Sequence, residues 1–88
     1  MTGELEERFN KVALAIKNST RPKDAKPMDG LKLYGFYKQA TSGDCSLSDE
    51  PWQVQVEKYS KWKAWYKIRG MSRERAMTGY INAAQEFL

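Results

Sequence analysis

The first 18 residues carry a regular apolar stripe. Apolar side chains recur there at steps of three and four residues, at Leu5, Phe9, Val12, Ala13 and Ile16. This spacing puts them on one face of an α-helix. We therefore predict a first helix from Glu4 to Asn18.

A second helix is predicted from Met28 to Thr41. It follows the segment "STRPKDAKP", whose prolines disfavour helix at the residues before them. Gly43 is a suitable C-terminal cap. The apolar residues Leu33, Phe36 and Ala40 form one stripe, which predicts a core face. The neighbouring face carries two phenol rings and an ammonium group at helical spacing, from Tyr34, Tyr37 and Lys38.

Two more helices follow. The third is predicted from Val54 to Arg69, with Gly70 ending it and with Trp62 and Trp65 facing the bundle core. The fourth begins after Ser72, a favourable N-cap, and carries an apolar stripe at Ala76, Tyr80, Ala83 and Phe87. Only "WQVQV" alternates like a strand, and it is short and isolated. The sequence therefore predicts an all-α, four-helix bundle in one domain of residues 1–88.

The amino-acid composition limits the catalytic, disulfide and metal-binding chemistry that the chain can support. The 88 residues contain one cysteine, Cys45, and no histidine, which excludes an intramolecular disulfide, the usual zinc sites and a histidine base. The acidic residues show no spacing that suggests acid–base work, so we predict that the chain is not an enzyme and holds no metal. We expect Cys45 to be structurally incidental in a reducing compartment. No apolar run is long enough to span a membrane.

The net charge is +4, and two basic segments, 11–26 and 51–69, flank an acidic one. This distribution favours a local anionic partner. Aromatic rings with lysines can stack on nucleobases and pair with phosphates, as in a nucleic-acid site or a site for a small molecule bearing an adenine nucleotide. The interrupted basic track favours the small molecule. Core packing is the alternative role for the aromatic residues, and for Tyr80 both roles stay open.

Three blocks, "LYGFYKQATSGD", "KWKAW" and "GMSRERAMTGYI", resemble the acyl-CoA-binding protein family. They occur in the family's order and nearly at its separations, and the resemblance runs from Phe9 to about Phe87. It implies four helices in up-down-down-up order. It also implies a non-catalytic, cytoplasmic carrier that binds medium- to long-chain fatty acyl-CoA, shields the acyl chain and maintains an acyl-CoA pool.

The resemblance also implies roles for single residues. Tyr34, Lys38 and Lys61 match positions that hold the 3′-phosphate of CoA, Tyr37 matches the ring that stacks on adenine, and Tyr80 completes the ligand wall. Further ligand-binding positions are implied at Phe9, Val12, Ala13, Lys17, Leu31, Gly35 and Phe36. No cofactor, nucleic acid or stable membrane insertion is implied. We expect a monomer with transient contacts to acyl-CoA-using enzymes or membrane surfaces.

The chain departs from the family pattern around the third helix. Glu57 stands where many members have a ligand-contacting lysine, Lys58 replaces the usual glycine, and "DEPWQVQV" lacks the family's R-P-G-x-x-D. The loop "RPKDAKP" is longer than in the smallest members, so the preferred acyl length stays open. At Glu57 we expect a phosphate contact to be lost or reversed in sign.

Overall fold

The structure, a computed structural model, describes residues 2–18 and 27–87. Within these ranges the chain forms four α-helices: α1 (Thr2–Asn18), α2 (Pro27–Ser42), α3 (Val56–Tyr66) and α4 (Arg73–Ala84). Single 3₁₀ turns lie at Leu47–Asp49 and Gln85–Phe87. The described part of the chain contains no strand, and no helix in it is long and apolar enough to cross a membrane. The all-α prediction is confirmed, and the loop around Pro22 lies outside the described residues.

Both predicted caps are found. The Ser72 hydroxyl accepts a hydrogen bond from the Arg75 amide at 3.2 Å, which satisfies one free N–H of the first turn of α4. Gly43 and Gly70 have φ angles of 84° and 87°, the left-handed conformation that glycine adopts without strain. Gly43 therefore ends α2, as predicted.

The third helix is shorter than predicted at both ends. It begins only at Val56, because Gln55 has a non-helical ψ of 73° and its amide bonds the Trp52 carbonyl in a turn. From the Ile68 amide onward the hydrogen bonds shift to i→i−3 spacing, and this tighter turn runs to Gly70. "WQVQV" is thus mostly turn and forms no strand, and its last residue, Val56, begins α3.

The contacts between helices fix their directions. Tyr34 meets Lys61 and, one turn further along both helices, Lys38 meets Trp65, so α2 and α3 run parallel. A Cβ atom at Gly35 would lie 2.9 Å from the carbonyl oxygen of Ala64, so the absence of a side chain there permits this close approach.

The fourth helix runs antiparallel to α2. Phe36 lies against Gly79, while Ala40, further along α2, accepts a hydrogen bond from Arg73 at the start of α4. The first helix packs mainly on α4, and α3 packs mainly on α2. The helices α2 and α3 are thus parallel to each other and antiparallel to α4, and α1 and α2 lack extensive contact with each other.

The hydrophobic core lies where α1, α2 and α4 meet. It contains eight buried residues: Phe9, Leu33, Ala40, Ala76, Met77, Tyr80, Ile81 and Ala84. The apolar stripes predicted for α1 and α2 therefore face the core, as do Ala76, Tyr80 and Ala83 of the stripe on α4, while the Phe87 side chain lies outside what the structure describes. Burying such side chains contributes roughly 25 cal/mol per Å² of apolar surface removed from water.

Trp62 is buried, as predicted, but it lies outside the cluster that α1, α2 and α4 form. Its ring stacks on Tyr66 at 4.8 Å between centroids, and its Nε1 donates to the Ser46 carbonyl at 3.2 Å. Because α3 packs on the outer side of α2, Trp62 covers the loop between these two helices and lies outside the bundle core.

A buried glutamine joins the end of α2 to α3 and to the turn before α4. The Nε2 group of Gln39 donates to the Asp44 carboxylate at 2.8 Å and to the Met71 carbonyl at 2.9 Å. Its Oε1 accepts from Trp65 Nε1 at 3.1 Å, and Asp44 also accepts from the Gly70 amide at 2.7 Å. This network fixes α3 against α2 and so positions the side chains that α3 presents beside α2.

The same hydrogen bonds hold the pKa of the Asp44 carboxyl below its ordinary value of 3.8. The Gln39 amide is the largest cause, followed by the Gly70 amide, with a smaller contribution from the Arg69 charge. Asp44 is therefore ionised at neutral pH.

Candidate ligand-binding site

A cleft of about 430 Å³ lies between α1 and α2, next to Tyr80 of α4. It opens because α1 rests mainly on α4. Most of its walls are apolar or aromatic, with polar groups at a few positions. The lining residues are Phe9, Asn10, Ala13, Leu14, Ile16, Lys17, Tyr37, Thr41 and Tyr80.

Three aromatic rings form one side of this cleft. Phe9 and Tyr37 are stacked at 5.8 Å between centroids with 25° between planes, and Phe9 meets Tyr80 edge-on at 5.1 Å. Phe9 is 2% exposed and Tyr80 4%, whereas Tyr37 is 42% exposed. Two buried rings thus hold the Tyr37 ring in place while leaving much of it accessible, which suits it for stacking against a flat ligand.

Burial raises the pKa of the Tyr80 phenol above its ordinary value of 10, and the neighbouring Tyr37 raises it further. Tyr80 is therefore a neutral phenol at physiological pH. Its hydroxyl can donate a hydrogen bond as well as accept one.

Two lysines lie beside the aromatic group, each over a ring. Lys38 Nζ is 4.9 Å from the centroid of a Trp65 ring, and Lys61 Nζ is 5.6 Å from the Tyr34 ring centroid. Such cation–π contacts hold an ammonium group without neutralising its charge. Both lysines are half-buried.

The two ammonium groups differ in their ion pairing. Lys61 pairs with Glu57 one turn earlier on α3, at 3.2 Å. Lys38 takes part in neither of the ion pairs found among the described residues. A half-buried cation with no carboxylate beside it favours an anionic ligand.

The α2 helix makes the aromatic and cationic parts continuous. Tyr34, Tyr37, Lys38 and Thr41 follow each other at helical spacing on one face. The Thr41 hydroxyl donates to the Tyr37 carbonyl at 2.8 Å. An accessible ring and two cations therefore share one surface, bounded by α1 on one side and α3 on the other.

Eight of the twelve predicted site residues lie in or around this surface. Five line the cleft itself: Phe9, Ala13, Lys17, Tyr37 and Tyr80. Tyr34, Lys38 and Lys61 form the neighbouring cationic part. Val12 lies one position before Ala13 but packs against the core.

The other three predicted residues lie elsewhere on α2. Gly35 is buried where α2 crosses Ala64 of α3, and Phe36 lies against Gly79 of α4. Leu31 lines a second groove, which Phe36 also lines. The structure therefore places none of these three residues in the cleft.

Some cleft residues were not predicted. Asn10, Leu14, Ile16 and Thr41 line it, and Trp65 supports Lys38. Thr41 could have been inferred from its place one turn after Tyr37, and Asn10 from its place three residues before Ala13. The sequence carries no signal for Trp65, because its contact with Lys38 depends on how α3 packs against α2.

Nothing in the described ranges suggests a metal centre, since no three His, Cys, Asp or Glu side chains cluster there. The family model described as "Acyl CoA binding protein" matches residues 6–84. The chain belongs to the acyl-CoA-binding protein family. This family fits a surface that presents the accessible ring of Tyr37 beside the ammonium group of Lys38, which takes part in neither ion pair found among the described residues.

The sequence is also similar to those of curated acyl-CoA-binding proteins. The chain is 44% identical over 75 residues to "Acyl-CoA-binding protein" of Dictyostelium discoideum, covering 83% of each protein. It is 39% identical over 82 residues to rice "Acyl-CoA-binding domain-containing protein 3", covering 93% of this chain but 51% of the rice protein. The chain thus corresponds to most of the first relative and to about half of the second.

Solved structures of acyl-CoA-binding proteins share the fold. The crystal structure of Oryza sativa acyl-CoA-binding protein 2 superimposes with a TM-score of 0.87 at 35% identity, covering 98% of this chain and 90% of that one. The protein from Moniliophthora perniciosa gives 0.81 at 28% identity, covering 93% and 78%. The predicted four-helix family fold is therefore confirmed.

Proposed function

We propose that this chain binds medium- to long-chain fatty acyl-CoA esters reversibly, shields the acyl chain and carries the ester without changing it. Membership of the acyl-CoA-binding protein family supports this function, as does the chemistry of the cleft. The observation that carries it is that the accessible ring of Tyr37 lies on the same helix face as Lys38, a half-buried cation that takes part in neither ion pair found among the described residues.

The nucleotide head of the ester lies on the α2 face. Its adenine stacks on Tyr37, whose other contacts are with the buried rings of Phe9 and Tyr80. Its 3′-phosphate lies between Lys38 and Lys61. Lys38, on α2, extends over a ring of Trp65 on α3, and Lys61, on α3, extends over the Tyr34 ring on α2. Charge-assisted hydrogen bonds of this kind contribute roughly 1.5–3 kcal/mol each.

The rest of the ester follows the cleft along α1. Lys17 supplies a further cation at its edge, and Phe9, Ala13 and Leu14 supply apolar surface. Leu14 is 59% exposed, and a bound acyl chain would cover it. We assign structural roles to Val12, Gly35 and Phe36, because each packs within the protein.

The proposed role needs no catalytic group and no cofactor. We further propose that the protein acts as a cytoplasmic monomer with transient contacts to acyl-CoA-using enzymes or membrane surfaces. A reducing compartment suits Cys45, a free and buried thiol whose pKa is raised by burial and by the nearby Asp49 charge.

Calorimetric titration with palmitoyl-CoA, in parallel with a single-stranded oligonucleotide, tests the proposal. We expect one-to-one binding of the ester and no heat from the oligonucleotide. Tyr37→Leu should weaken ester binding roughly five- to a hundredfold, the loss expected for one base stack. Trp52→Leu is the matched control, since Trp52 is 79% exposed outside the cleft. Oligonucleotide binding without ester binding would refute the proposal.

A further inference from the structure

Three large apolar side chains are exposed in the turn before α3 and at the first residue of that helix. Trp52, Val54 and Val56 are 79%, 86% and 71% exposed, within five consecutive residues. The residues between them, Gln53 and Gln55, are exposed and uncharged. None of the five lines the cleft or the second groove. These five residues, here called the apolar tip, are therefore unused by the proposed site.

Backbone hydrogen bonds hold the apolar tip in shape. The Gln55 amide donates to the Trp52 carbonyl at 2.9 Å, which closes the turn, and the Tyr59 amide donates to the Gln55 carbonyl at 2.8 Å, which joins the turn to α3. Because the turn is already closed, covering its side chains requires little further ordering of the backbone. The tip belongs to "DEPWQVQV", where the chain departs from the family pattern.

The area of the apolar tip limits what can cover it. One tryptophan and two valine side chains expose roughly 400 Å² or less between them, whereas each partner in a stable protein interface contributes about 800 Å². A lipid surface has no such minimum, because single apolar side chains can enter the boundary between head groups and acyl chains. Tryptophan is enriched at this depth, since its ring is apolar and its N–H still meets water. The small area therefore favours a lipid surface over a protein.

The charges around the apolar tip indicate the kind of lipid. Residues 49–57 contain three carboxylates, from Asp49, Glu50 and Glu57, and no lysine or arginine. Asp49 and Glu50 take part in neither ion pair found among the described residues. Anionic head groups would repel these carboxylates, whereas the choline cation, the outermost charge of phosphatidylcholine, would attract them.

We propose that the apolar tip docks this protein on a neutral lipid surface rich in phosphatidylcholine. The tip enters the boundary below the head groups, and the flanking carboxylates stay among the choline groups. Collection of acyl-CoA from such a surface rests on the proposed function, whereas the docking itself does not.

The test is sedimentation of the ligand-free chain with phosphatidylcholine vesicles at physiological salt, with phosphatidylserine vesicles as the second arm. We expect binding to phosphatidylcholine and weaker binding to phosphatidylserine. Brominated phosphatidylcholine should quench the fluorescence of Trp52, because bromine atoms on the acyl chains quench only indoles that reach them. Trp52→Phe should still bind but lose most of this quenching, since Trp62 is buried and Trp65 half-buried elsewhere on α3.

Variants locate the contact. The double variant Trp52→Gln/Val54→Gln removes most of the apolar surface of the tip and should weaken binding to phosphatidylcholine vesicles about tenfold or more. Gln53→Ser is the matched control, because it changes an exposed polar residue of the same turn, and it should have no effect. The double variant should bind palmitoyl-CoA in solution as the parent does, since neither residue lines the cleft.

Several results would overturn the inference. Absence of vesicle binding, stronger binding to phosphatidylserine, quenching that persists in Trp52→Phe, or unchanged binding of the double variant would each contradict it. A dimer of the parent chain that the double variant loses, measured by sedimentation velocity, would instead show that a second copy covers the tip. Because docking is measured without acyl-CoA, its failure leaves the proposed function standing, and a failure of palmitoyl-CoA to bind leaves the docking testable.

Discussion

Replacing Glu57 by glutamine should strengthen the binding of acyl-CoA. Glu57 is the carboxylate that pairs with Lys61 at 3.2 Å, and its side chain is 83% exposed. A 3′-phosphate held by Lys61 would have Glu57 as a like-charged neighbour. Glutamine keeps the size of the side chain and removes the charge.

The magnitude follows from this geometry. A phosphate oxygen bonded to Lys61 would lie up to about 6 Å from the Glu57 carboxylate, where each phosphate charge is repelled by about 0.7 kcal/mol in water. At about 6 Å, removing the Glu57 charge therefore gains a doubly charged phosphate about 1.4 kcal/mol, or roughly a tenfold higher affinity at low salt. The lost ion pair should lower the free energy of unfolding by only about 0.3–0.5 kcal/mol, since it is exposed.

Calorimetry with palmitoyl-CoA at low and high salt measures the effect, which should shrink as salt screens the charges. Glu7→Gln is the matched control, because it breaks the other i,i+4 pair, Glu7–Lys11 at 3.7 Å. The dephospho ester, which lacks the 3′-phosphate, should bind parent and Glu57→Gln about equally. Unchanged affinity for palmitoyl-CoA, or an equal gain for the dephospho ester, would refute the reasoning.

Three further changes test other parts of the molecule. Lys38→Ala should weaken palmitoyl-CoA roughly ten- to a hundredfold with little change in melting temperature; calorimetry and thermal melting check this, and unfolding or unchanged affinity would contradict it. Trp65→Phe removes the donor to Gln39 and Gly43 and should lower the free energy of unfolding by about 1–3 kcal/mol in urea titration, whereas an unchanged midpoint would argue against the network. The pKa of Asp44 is lower in the folded state. The Asp44 carboxylate therefore stabilises the fold fully above about pH 3.8, and this stabilisation is lost as the pH falls through the folded pKa. Asp44→Asn should therefore flatten the loss of melting temperature on acidification below that value, and a parallel curve would count against the account.

The sequence predicts α1 and α2 well because both signals are local. An apolar stripe marks the face of α1, and a proline and a glycine bound α2. The α2 face with Tyr37 and Lys38 is equally local, since helical spacing alone puts these side chains together. The ends of α3 were less predictable. The residues on both sides of α3 have a sequence pattern like that of the helix, but their backbones form turns with a different hydrogen-bond spacing.

Features that depend on packing between distant segments could not be predicted. Gln39 bonds groups up to 32 residues away, and only the fold shows that this amide is buried. Trp62 is a large aromatic residue of a type that is common in cores. Because α3 lies on the outer side of α2, however, Trp62 is outside the cluster that α1, α2 and α4 form. The support of Lys38 by Trp65 likewise requires the parallel arrangement of α2 and α3.

The central claim is that one site binds both a nucleotide head and an acyl tail. It is tested most directly by titrating the protein, at fixed salt, with CoA and with acyl-CoA esters from acetyl upward. Each buried methylene contributes up to about 0.8 kcal/mol, and less where the chain stays partly exposed. We predict weak binding of CoA and acetyl-CoA, and an affinity that rises with chain length to a plateau. A flat series, in which CoA binds as well as palmitoyl-CoA, would contradict the account and leave a helix bundle that recognises the nucleotide alone.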